Sequence, residues 1–152
     1  MQHITFFFEF EADFVESLRC IPMQVRYKLD TCGVKLKLEH WNQFDRGECL
    51  ALVELPCSSE SEIQAYREIL RRLVFDRTGS YPKDLPVDPH PPWMGDELPP
   101  SVRDKAASLD VAISTQQWLK LSSLQRFALV KLSRPSHENK NFLPALQEFG
   151  IV

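Results

Sequence analysis

Apolar and polar positions alternate over the first residues of the chain. Ile4, Phe6, Phe8 and Phe10 fall on one side of an extended segment, which predicts a short N-terminal strand. Beyond it the period lengthens to that of a helix. Asp13 is placed to cap a helical turn through Phe14, Val15 and Leu18, and Pro22 then opens a helix that runs to Cys32. Gly33 stands where a left-handed terminus is expected. Val34 to Leu38 alternates again and reads as a short extended piece. Asp45 and Glu48 form a carboxylate capping box before an apolar helix that stops at Pro56, and Ser59 with Glu62 repeats the device. The helix that follows carries Ile63, Tyr66, Leu70, Leu73 and Val74 at helical spacing and ends near Gly79.

Residues 79–100 break both periods. Pro82, Pro86, Pro89, Pro91, Pro92, Pro99 and Pro100 lie there, which excludes a regular helix or a central strand and predicts a stiff extended connector. Tyr81, Leu85, Val87, Trp93 and Met94 interleave the prolines, so the connector should wrap a surface rather than hang in solvent.

Past the connector the chain aligns on itself. Residues 99–133 placed on 22–56, with no gap, give 10 identities in 35 positions, among them Pro22/Pro99, Trp41/Trp118 and Ala51-Leu-Val53/Ala128-Leu-Val130. Ser122 and Gln125 stand where Asp45 and Glu48 stood. A further helix is expected after each copy, starting near Ser59 and near Ser136, the second carrying Phe142, Leu143, Leu146 and Phe149. The expected fold is mainly α: a duplicated helical unit packed face to face across a pseudo-twofold in a single core, one domain over residues 1–152. A small extended segment at the N-terminus and the proline-rich connector complete it. Trp41 and Trp118 should occupy equivalent buried places.

Composition narrows the function classes. With 18 basic and 21 acidic residues the formal charge is −3, and the pI of about 5.8 offers no electrostatic footprint for nucleic acid. No apolar run approaches a membrane span, and no basic-then-apolar leader opens the chain, so a cytoplasmic setting is expected. The five glycines are too scattered for a phosphate-cradling loop, and His3, His40, His90 and His137 show no ligand or triad spacing. No catalytic residue and no bound cofactor are therefore expected. Cys20, Cys32, Cys49 and Cys57 contain no C-x-x-C pair; they read as small core hydrophobes, with Cys20 and Cys57 brought together by the fold as the alternative metal or cluster site.

The densest polar constellation is Arg134-Pro-Ser-His-Glu-Asn-Lys-Asn141. As a binding corner it would offer Arg134, His137, Asn139, Lys140 and Asn141; the same residues also suit a turn that ends one helix and caps the next. Arg126, on an otherwise apolar helix, should either snorkel or meet an acid, and joins the candidate partner-binding residues.

Three strings carry a resemblance. Phe8-Glu-Phe-Glu-Ala-Asp-Phe-Val-Glu-Ser-Leu-Arg-Cys-Ile-Pro-Met23 is followed by Val25-Arg-Tyr-Lys-Leu-Asp-Thr-Cys-Gly-Val34, and later by Gln125-Arg-Phe-Ala-Leu-Val-Lys-Leu-Ser-Arg134 running into Ser136-His-Glu-Asn-Lys-Asn-Phe142. Together they resemble the cyanobacterial-type nitrate reductase-associated protein family over nearly the whole chain. The resemblance implies a cytoplasmic, non-catalytic accessory factor. Its partner would be the catalytic polypeptide of the assimilatory, molybdenum-dependent nitrate reductase, served during assembly or maturation by direct contact. A thiolate carrier of metal or an iron–sulfur cluster for the same enzyme is the alternative. The resemblance supplies no established site residues.

Overall fold

Helix α1, Met23–Cys32, begins where Pro22 sets the backbone at φ −64°, ψ 153° and can offer no side-chain cap. The exposed N–H groups of a helix start need acceptors. Glu11, 12 residues back, supplies one: its Oε2 accepts from Met23 N–H at 3.1 Å and its Oε1 from Phe8 N–H at 3.2 Å. That double duty explains a carboxylate only 2% exposed. It also explains a departure from the expected strand. The carboxylate folds back on Phe8, so Glu9–Glu11 form a 3-10 turn and the Phe8 and Phe10 rings stack at 5.1 Å. The rest of that expectation, Ile4 to Phe6, and the Asp13 cap lie outside the described residues, which in this computed structural model are 7–11, 18–135 and 139–152.

Among those residues the chain is mainly helical, with 8 α-helices and one small two-stranded sheet. It divides into two units, Met1–Val87 and Asp88–Val152, with the division inside the proline-rich connector.

In the first unit α1 ends at Gly33, φ 76°, and leads into β1, Val34–Lys35. β1 pairs antiparallel with β2, Lys83–Asp84, in the register Val34↔Asp84 and Lys35↔Lys83. Extension therefore stops short of Leu38, which begins the short helix α2, Leu38–Trp41. Helix α3, Arg46–Glu54, has the expected capping box, Glu48 N–H donating to Asp45 Oδ1 at 2.7 Å and Asp45 N–H to Glu48 Oε1 at 2.9 Å. Helix α4, Glu60–Thr78, has the Ser59/Glu62 box and ends at Gly79 with φ 83°. Helix α1 packs on α3 and α4, around Val25, Leu29, Trp41, Leu52, Val53, Tyr66, Leu70 and Val74.

Two polar side chains close this core from within. Tyr66 Oη donates to Leu52 O at 2.8 Å. Lys28 Nζ donates to Val53 O and Leu55 O, each at 2.6 Å, and so answers the carbonyls and negative dipole at the end of α3.

In the second unit α5, Pro100–Ser108, starts after Pro99 at φ −62°, ψ 143°. It ends in a Schellman turn: Val111 N–H donates to Ala106 O, Asp110 N–H to Ala107 O, and Asp110 sits at φ 60°. Helices α6, Thr115–Lys120, and α7, Ser123–Ser133, both begin with capping boxes, Ser114/Gln117 and Ser122/Gln125. Phe127, Ala128, Leu129, Val130 and Leu132 are all buried, so α7 is apolar round most of its girth and is the axis of its unit. It packs on α5 and α8. It also packs on a 3-10 turn at Pro92–Met94, where Trp93 meets Phe127 edge-on at 4.9 Å. That turn interrupts the expected extended connector, since Pro92 occupies a first-turn position that needs no N–H.

Helix α8, Phe142–Glu148, starts later than expected, after a 3-10 turn at Asn139–Asn141; Ser136 lies outside the described residues. Pro144 sets the later start. A helix capped at Ser136 would carry this proline in its interior, whereas at the third position it falls within the first turn.

The offset at which the sequence aligns on itself also separates three pairs of helix starts. Met23 to Pro100, Leu38 to Thr115 and Arg46 to Ser123 are 77 residues apart in every case. The Nε1–H of each indole reaches back 23 residues to a carbonyl, Trp41 to Leu18 at 2.8 Å and Trp118 to Gly95 at 3.1 Å.

Gly33 and Gly79 separate two costs of a side chain. Both hold a positive φ, but a Cβ on Gly33 would meet Val87 Cγ2 at 2.8 Å and Leu85 O at 3.0 Å, while Gly79 has nothing within 4 Å. Gly79→Ala should cost about 1 kcal/mol in urea unfolding and Gly33→Ala at least twice as much. Equal losses would show that the packing of Val87 on Gly33 contributes nothing.

Candidate partner-binding surface

Of the residues the sequence singles out for partner binding, Arg126 is committed inside its own unit. From α7 its Nε donates to Trp118 O at 3.1 Å and one terminal nitrogen to Leu119 O at 3.2 Å. The other reaches Trp93 O at 3.4 Å and Gly95 O at 3.5 Å, and the guanidinium lies 5.4 Å from the Trp118 ring. It thus stays half-buried and meets no acid among the described residues. It clamps the carbonyl end of α6 to the 3-10 turn that carries Trp93, a task suited to a planar fork of donors.

Arg134, Asn139, Lys140 and Asn141 do form a corner between α7 and α8. Arg134 is the C-cap of α7, extended at φ −79°, ψ 148°, and is exposed, as is Lys140. Asn139 and Asn141 are half-buried; Asn141 is the N-cap of α8, yet its side chain makes no capping bond. His137 lies outside the described residues.

The thiols belong to the interior. Cys32, Cys49 and Cys57 are buried and Cys20 is half-buried. Each buried thiol is a weak donor to a backbone carbonyl: Cys32 to Leu29 at 3.8 Å, Cys49 to Trp41 at 3.9 Å and Cys57 to Lys28 at 3.9 Å. Burial pushes Cys32 up to about 12 and Cys49 up to about 11, and raises Cys57 as well. Metal ligation needs the thiolate, which these surroundings disfavour. Among the described residues no three His, Cys, Asp or Glu side chains gather as a metal site, around Cys20 and Cys57 or elsewhere.

A surface that sequence reasoning missed lies on the first unit. Phe75, 40% exposed, and Tyr81, 55% exposed, stack at 4.7 Å between ring centroids. The Arg71 guanidinium lies 4.9 Å from the Tyr81 ring and 3.6 Å from Asp84, which Arg67 meets at 2.6 Å. The Arg67 hydrogen bond and charge, with Arg71 adding to them, hold the Asp84 carboxyl below its ordinary range. Arg67 also donates to Gly33 O at 2.9 Å, beneath Val87, itself 54% exposed. The available signal was Phe75, which stands off the apolar stripe of α4 beside a tyrosine just past the Gly79 stop.

The chain belongs to the conserved nitrate reductase-associated protein family, whose model matches residues 7–149. No curated protein and no solved structure matches it. No helix among the described residues is long and apolar enough to cross a membrane.

Two measurements check this reading of the interior. Arg126→Lys keeps the charge but loses the fork, and should lower stability by about 2 kcal/mol in denaturant unfolding. An unchanged midpoint would mean that the clamp is dispensable. The raised thiols act on pH dependence. Above their unfolded pKa of 9.0, Cys32, Cys49 and Cys57 keep protons that the unfolded chain releases. Each therefore lowers stability by about 1.4 kcal/mol per pH unit until its folded pKa is reached. Buried Tyr66, raised from 10.0, adds to the loss above pH 10, and Lys28, lowered by burial from 10.5, acts in the opposite sense, one group against four. Under reducing conditions the urea midpoint should fall between pH 8.5 and 11, and Cys32→Ala should flatten that fall.

Proposed function

We propose that this protein is a non-catalytic accessory factor for assimilatory, molybdenum-dependent nitrate reductase, serving its assembly or maturation in the cytoplasm through direct contact with the catalytic polypeptide. The observation that carries the reading is the family match over residues 7–149, in a family described by its association with nitrate reductase. The corner between α7 and α8 supports it, with the exposed cations Arg134 and Lys140, the half-buried Asn139 and Asn141 on either side of Lys140, and His137 in the same stretch. Arginine at an accessible helix end is a residue type that interfaces favour. The thiolate-carrier reading draws no support from thiols that burial keeps protonated.

Tagged protein purified from nitrate-grown cells should bring the reductase polypeptide with it. Reversing both charges of the corner, Arg134→Glu with Lys140→Glu, should reduce recovery at least tenfold while leaving the thermal midpoint in place. Absence of the reductase from wild-type eluates, chemical cross-linking included, would overturn the proposal.

A further inference from the structure

A local charge excess on the first unit runs against the charge of the whole chain. β1 and β2 place Lys35 directly opposite Lys83, and both are exposed. Like charges so placed across a strand pair repel. Among the described residues neither lysine has a carboxylate partner, because the one acid in the strands, Asp84, is held by Arg67 and Arg71. Four cations thus face one carboxylate. Counting Glu68 as well, one turn before Arg71 on α4, the patch keeps an excess of two positive charges, on a chain of formal charge −3.

The same patch exposes apolar surface. Contacts run unbroken from Val87 over Gly33, through Arg67, Asp84 and Arg71, to Tyr81 and Phe75. Stacked aromatics beside arginine are the side chains that dominate binding energy in protein interfaces. A repulsive lysine pair does nothing for the fold, and it matches negative charge on something that docks.

We infer that this face, built from Lys35, Lys83, Arg71, Tyr81, Phe75 and Val87, is a docking surface for an acidic polypeptide segment that carries apolar side chains. The aromatic pair and Val87 take the apolar side chains, and the lysines take the carboxylates. A protein segment fits better than a nucleic acid, because it can set its carboxylates on the lysines alone and lay apolar side chains across the rest, whereas a backbone with one phosphate per nucleotide would also face Asp84. The surface is independent of the corner at Arg134 and of the identity of the reductase as partner.

The test uses the full chain and three fluorescent probes: a 12-residue peptide of Glu and Asp interleaved with Leu and Phe, its lysine counterpart, and a 12-nucleotide single-stranded DNA. The acidic peptide should bind, the lysine peptide should not, and raising salt from 50 to 300 mM should weaken binding at least fivefold. Lys83→Glu turns the cross-strand repulsion into attraction, so it should raise the thermal midpoint and weaken the acidic peptide at least fivefold together. Tyr81→Ala should weaken it similarly without moving the midpoint. Binding of both peptides alike, wild-type affinity in Lys83→Glu, or DNA bound as tightly as the acidic peptide would each overturn the inference. Failure of reductase co-purification with peptide binding intact would sink the proposed function and leave this surface standing.

Discussion

A buried indole has one N–H, and that hydrogen must find an acceptor. Trp41 and Trp118 are both fully buried, so an unpaired Nε1–H would cost about 1–3 kcal/mol in either unit. Each is answered by a main-chain carbonyl 23 residues earlier, from Leu18 or Gly95. This requirement reaches well beyond the tryptophan. It ties the segments ahead of α1 and α5 to the tryptophan of the same unit, at Leu18, which stands at φ 56°, and at Gly95. In the first unit the bare start of α1 also meets the Glu11 carboxylate.

The carbonyl of each tryptophan is also held, from 8 residues further on, but by different chemistry. Cys49 offers Trp41 O a weak thiol donor, whereas Arg126 offers Trp118 O a charged one. The substitution changes what surrounds it. A thiol serves one carbonyl and packs as a hydrophobe; a guanidinium has donors left over, and these take Trp93 O and Leu119 O. The proline-rich turn of the second unit is thereby fastened to α6, a connection that a thiol could not make.

Legibility in the sequence followed the range of the interaction. The capping boxes at Asp45, Ser59 and Ser122 and the left-handed stop at Gly33 are decided within a few residues, and they stand where pattern reading put them. The burial of both tryptophans followed from their matched places in the self-alignment and was equally legible. The N-terminal strand was not, because whether Phe8 and Phe10 extend or turn depends on where the Glu11 carboxylate finds its second donor, 12 residues away. The hydrogen bonds of Arg126 were hidden for a related reason. An arginine on an apolar helix suggests a missing acid, and nothing local shows that carbonyls from the end of one helix and from a distant turn will surround it. The surface at Phe75 and Tyr81 needed the pairing of β2 with β1, two residues long and invisible to periodicity. Pro144 was visible all along; its position relative to a first turn is local information that dates the start of α8.

The side-chain donors of the interior share one orientation, with Glu11 as the buried acceptor. Lys28, Tyr66, Arg67, Arg126 and the three buried thiols all point donors at main-chain carbonyls, most of them at or near helix ends. A lysine or arginine used this way costs desolvation and recovers it from aligned carbonyl dipoles rather than from an acid. The arrangement fastens short helices whose own propensities are modest, since none but α4 exceeds 11 residues. It also divides the cations into two populations. Lys28 and Arg126 spend their donors on main-chain carbonyls and Arg67 divides its own between carbonyls and Asp84, while Lys35, Lys83, Arg134 and Lys140 remain in solvent, where charge is cheap to hold and free to act at a distance.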